Sequence, residues 1–159
     1  MKLFRQFFNS FFSSTHEPID DVVCKKDVGP RNDKVGNFNK MAPHLFAPRL
    51  KDLGYELRKI EDFHYCGFLW STHHFYVNDQ LNLTVDIQQA PYYTDYGFSI
   101  FLFHTDLQDL KLLCNVPHEL QDKDDKFLTG MIDKFFSDLE IISLLKGETW
   151  KTINFLRSE

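Results

Sequence analysis

The stretch Leu81-Asn82-Leu83-Thr84-Val85-Asp86-Ile87-Gln88 alternates apolar and polar side chains without a break. A period of two puts Leu81, Leu83, Val85 and Ile87 on one face of a strand and the polar residues on the other. A turn-rich segment follows, Ala90-Pro91-Tyr92-Tyr93-Thr94-Asp95-Tyr96-Gly97. Phe98-Ser99-Ile100-Phe101-Leu102-Phe103 then reads as a second, more apolar strand.

The same period continues on both sides. Strands are expected near 55–60, 67–77, 81–89, 97–104 and 111–116. Asn78-Asp79-Gln80 is a polar turn of hairpin length, and Leu112, Cys114 and Val116 alternate in the last strand. The connections are too short for crossover helices, so consecutive strands should pair antiparallel as a meander.

Helical periods flank the strands. A first helix is expected from about Pro43, or from Pro48, whose missing N–H suits a first helical position. Leu45 or Phe46, Leu50 and Leu53 line its face, and Gly54 stands where a left-handed cap belongs. After Pro117, Leu128, Met131, Ile132, Phe135, Leu139 and Ile142 follow one stripe of period 3.6. Ser137-Asp138-Leu139-Glu140 matches a capping box, which predicts a break and restart. Gly147 closes that helix, and Thr149 caps a last short one carrying Trp150, Ile153 and Leu156. The predicted fold is α+β: one helix, a five-stranded antiparallel meander, then two or three helices on one sheet face. The other face is polar, covered by an N-terminal helix, or used for binding.

Residues 1–14 form an amphipathic segment with Leu3, Phe4, Phe7, Phe8, Phe11 and Phe12 on one side. Lys2, Arg5, Gln6, Asn9 and Ser13 take the other side. Such a stripe docks on this protein, on a partner, or on a lipid interface, with Phe4, Phe7, Phe8 and Phe11 as its contacts. Residues 15–40 are rich in Asp, Lys, Asn, Gly and Pro and read as a linker, which places a single domain at 41–159.

Composition narrows the function classes. A chain of 159 residues suffices for one apolar core without staples, and its 17 Phe fill such a core at low entropic cost. Net charge is −5, acidic residues outnumber basic ones 23 to 18, and no basic block exists. Phosphate backbones need clustered Lys and Arg, so nucleic acid is not an expected partner. Cys24, Cys66 and Cys114 are odd in number and far apart, which suits reduced thiols in the cytoplasm. No apolar run approaches the ~18 residues of a membrane span, and no signal-peptide pattern follows the basic start.

Catalytic and metal-binding patterns are equally sparse. His73 and His74 are adjacent on a strand and point to opposite faces. His64, His104 and His118 share no ligand spacing, so no metal is expected. Cys66 near His64 and Cys114 after His104 lack the surroundings of a nucleophile. No phosphate-cradling glycine motif occurs, and no cofactor is expected. Asp122, Asp124 and Asp125 fit the start of a helix rather than a calcium loop. What is left is Tyr92-Tyr93-Thr94-Asp95-Tyr96. Tyr92, Tyr93 and Tyr96 supply large contact area with few rotors, and Asp95 adds charge, as in a protein-binding loop. Trp70 and Tyr76 extend that surface if their side chains share its face.

Leu50 to Leu57, the Tyr92–Phe98 loop-to-strand segment and the acidic helical tail, together spanning about residues 42–150, resemble small bacterial α+β proteins. They look like the single-domain immunity proteins that neutralise polymorphic toxins. The resemblance implies a cytoplasmic, non-enzymatic inhibitor that binds a basic toxin face, for which the negative charge is suited. The Phe-rich segment and the linker lie outside the pattern. The alternatives are a small-ligand-binding protein or enzyme with a pocket between sheet and helices, and association with a membrane surface through residues 1–14.

Overall fold

The computed structural model describes residues 33–65, 68–89, 97–117, 120 and 126–150. Helix α1 (Asp33–Asp52) leads into strands β1 (Glu56–Tyr65), β2 (Phe68–Asn78), β3 (Leu83–Gln89), β4 (Phe98–His104) and β5 (Asp109–Val116). Helices α2 (Lys126–Ser137) and α3 (Leu139–Leu145) follow. The strands form one sheet in the order β1-β2-β3-β4-β5, every neighbour antiparallel, as the alternating pattern predicts.

One face of the sheet carries the core. Tyr76, Leu83, Val85, Ile87, Phe98, Ile100, Leu102 and Val116 meet Phe38, Ala42, Phe46 and Leu50 of α1, Leu128, Ile132 and Phe135 of α2, and Leu145 of α3. Tyr76 is therefore a core residue and does not extend an outer surface with Trp70, whose side chain is outside the described residues.

Helix α1 starts at Asp33, well before Pro43, and takes in residues 33–40 of the segment 15–40 read as linker. It runs through both Pro43 and Pro48. A proline inside a helix costs about 3 kcal/mol or more through its lost hydrogen bond and ring clash. The offset comes from a stripe at every fourth residue, Phe38, Ala42, Phe46 and Leu50, all buried. Each large member contributes roughly 1.5–3 kcal/mol on burial. The helix ends in a paired cap: Tyr55 N–H donates to the Leu50 carbonyl at 3.0 Å and Gly54 N–H to that of Lys51 at 2.9 Å. Gly54 has φ +84°, and a Cβ there would sit 2.9 Å from Asn78 Nδ2. That same Nδ2 donates to the Leu53 carbonyl, so the helix end and the β2–β3 turn are tied together.

Three other expectations need correction. Strand β5 does not alternate throughout, because Ile100 pairs with Cys114 but Phe101 pairs with Leu112. Leu113 is the extra residue of a bulge, and it turns Leu112, 57% exposed, to the face opposite Cys114 and Val116. The break between α2 and α3 falls as the capping box predicts, but Asp138 is the cap. Its carboxylate accepts from Glu140 N and Ile141 N, while Ser137 Oγ turns back to donate to the Asp133 carbonyl. The restart rotates the stripe, so Leu139 faces solvent and Leu145 is buried. Gly147 does close α3, at φ +72°.

Candidate interaction surface

The register defines the face opposite the helices. Lys59, Glu61 and Phe63 of β1 lie beside Phe75, His73 and Ser71 of β2. Thr84, Asp86 and Gln88 of β3 continue the face, followed by Ser99, Phe101 and Phe103 of β4. Asn115, Leu112 and Leu110 complete it on β5.

Its centre is a hydrogen-bonded cluster. The Ser71 hydroxyl lies 2.8 Å from His73 Nε2, and His73 Nδ1 lies 3.0 Å from an Asp86 oxygen. With a carboxylate as partner, Nδ1 carries a proton and donates it. Gln88 Nε2 donates to the same carboxylate at 3.0 Å. The Phe63 ring lies 4.5 Å from the His73 ring and the Phe75 ring stacks on it at 5.7 Å. Serine, histidine and aspartate in this order share the connectivity of an acyl-transfer triad. A reaction of that class also needs donors aimed at a developing oxyanion. Here β2 is paired on both sides, so its backbone N–H groups are engaged in the ladders. The cluster ties β2 to β3 across this face through the Asp86 carboxylate.

No local sequence pattern marks this cluster as a unit. Residues two apart on a strand share a face, so Ser71 and His73 were a legible pair. Asp86 joins them only through the register that pairs His73 with Gln88 and Phe75 with Asp86. As predicted, His73 and His74 point to opposite faces. His74 is buried under α1, 6.3 Å from the Phe38 ring, where desolvation lowers its pKa. Among the described residues no group of His, Cys, Asp and Glu is placed to hold a metal ion. Cys114 is a free thiol whose pKa burial raises, the reverse of an activated nucleophile.

The expected contact residues Tyr92, Tyr93, Asp95 and Tyr96 lie outside the described residues, as do Phe4, Phe7, Phe8 and Phe11. The stems of the tyrosine segment are described, and they are clamped. Gln89, buried at the end of β3, donates from Nε2 to the Gly97 carbonyl at 2.6 Å. Gly97 N–H donates to the Val116 carbonyl at 2.8 Å. Both ends of segment 90–96 are thus anchored to the central strands β3 and β4, and through Gly97 to β5.

At the opposite end of the sheet a cleft of about 190 Å³ is lined by Leu81, Asn82, His104, Asp106 and Trp150, among others. That is below the roughly 300–1,000 Å³ typical of small-molecule sites. Trp150 closes it by donating from its ring N–H to Asp109 at 3.1 Å and packing edge-on against His104. Among the described residues no helix is long and apolar enough to cross a membrane. Comparisons with family models, with curated proteins and with solved structures give no match to this chain.

Proposed function

We propose that the protein is a non-enzymatic protein-binding module of the immunity type, acting in the cytoplasm by binding and neutralising a basic toxin protein. The observation that carries the reading is the clamped stem of segment 90–96. A rigid base lowers the ordering cost of a contact loop, and tyrosine is well suited to fill a partner's pockets. Net charge −5 favours a partner of opposite sign and speeds the encounter.

The test is the triple change Tyr92→Ala, Tyr93→Ala and Tyr96→Ala, measured by calorimetry against the partner recovered with the wild-type chain. Truncating central aromatic contacts costs about 2 kcal/mol or more each, so affinity should fall at least ~30-fold while the melting temperature holds. Undiminished affinity in the folded triple variant would remove this assignment.

A further inference from the structure

We propose that the Phe-rich segment 1–14 forms a second layer of the fold, seating Phe4, Phe7, Phe8 and Phe11 on the outer sheet face over Phe75 and Phe103. The inference does not rest on the binding reading above. It starts from a burial that the described helices do not account for. Phe75 and Phe103 are each 4% exposed, yet neither belongs to the main core cluster. Beside them His73 and Asp86 are 2% and 3% exposed. All four project from the face opposite α1, α2 and α3. A sheet face open to water leaves its central side chains accessible, so burial this deep on three adjacent strands requires a layer over them.

Composition and reach favour residues 1–14 as the occupant. Residues 1–14 present six large apolar side chains at helical spacing, the pattern of a helix that covers a sheet. Segment 90–96 offers tyrosines without a helical stripe, and 118–125 is polar and acidic. Phe38, near the start of α1, packs on Phe98 at 4.6 Å, at the sheet end where β4 begins. From there residues 15–32, at roughly 3.3 Å each, reach on the order of 60 Å when extended. Crossing from the helix layer to the outer face takes only about 10 Å to 20 Å, one or two layer spacings.

Photo-crosslinking of the full-length chain tests this, with p-benzoylphenylalanine placed at Phe7 or at Phe8 and the adducts read by mass spectrometry. The expected adducts are intramolecular, in a protein of monomer mass, on the outer-face residues His73, Phe75, Thr84, Asp86, Phe101 or Phe103. Adducts to a second copy, to added vesicles of anionic phospholipid or to any other part of the chain, or no adduct from either position, would overturn the proposal. A second full-length variant, Phe4→Ser, Phe7→Ser, Phe8→Ser and Phe11→Ser, should raise binding of a hydrophobic dye several-fold. Unchanged dye binding in that variant would also overturn it.

Discussion

Two buried tyrosines on the core side separate a satisfied hydroxyl from an unsatisfied one. Tyr55 donates to the Leu145 carbonyl at 2.7 Å and ties α3 to the start of β1. The Tyr76 hydroxyl is buried with no partner among the described residues. Net hydrogen bonds contribute about 0.5–1.5 kcal/mol, whereas an unmet buried hydroxyl only costs. Tyr55→Phe should therefore destabilise by about 1 kcal/mol, and Tyr76→Phe should be neutral or stabilising, both read from urea midpoints. Burial pushes the Tyr76 hydroxyl up to about 12. Because the folded value lies above the unfolded value near 10, this group's contribution is complete below pH 10 and declines as pH rises toward 12. His74 works at the acid end. Desolvation holds its pKa below the ordinary 6.5, against the attraction of Asp86. The unfolded chain then binds the extra proton first, so stability is complete above about pH 6.5 and falls as pH drops below it. Unfolding curves between pH 5 and 8 should show this decline, and His74→Phe should flatten it.

Helix ends and faces were unequally legible. Gly54 announced the end of α1, because an αL position after an apolar stripe is chemically distinctive. Its prediction is sharp: Gly54→Ala meets both the positive φ and the Asn78 amide and should cost about 1–2 kcal/mol in a thermal melt. The start of α1 was hidden because, among the described side chains from Gly36 to Lys40, Phe38 alone is buried and its neighbours are small or polar. Tertiary burial at every fourth residue, not local propensity, makes that part helical. Ser137 and Asp138 competed for one cap, and a side chain one residue later won by bonding two N–H groups. Asp138→Ala should cost about 1 kcal/mol, whereas Ser137→Ala should change little. The α1–α2 contact illustrates which forces matter between elements. Phe46 meets the Phe135 and Phe136 rings, and Arg49 pairs with Asp133 at 2.7 Å. The ion pair is half exposed and contributes at most about 1 kcal/mol, whereas Phe46→Ala should cost about 3–5 kcal/mol.

At the scale of the whole molecule the meander was readable, because short connections leave consecutive strands little choice but to pair antiparallel. Which side chains meet across it was not. The Ser71–His73–Asp86 cluster needs a register, and the face of Leu112 needs the bulge at Leu113. The clamp from Gln89 to Gly97 likewise joins the two ends of segment 90–96, a pairing the sequence does not display. The described residues place helices on one face of the sheet, a buried polar-aromatic strip on the other and the clamped ends of segment 90–96 at one end. We propose that segment 90–96 engages a protein. The most direct test captures partners on tagged full-length wild type and on the Tyr92→Ala, Tyr93→Ala, Tyr96→Ala variant side by side from the native extract, quantified by mass spectrometry. One basic protein is expected in stoichiometric amount on the wild type, strongly depleted on an equally stable variant. Equal recovery on both chains, or no stoichiometric partner on either, would contradict it.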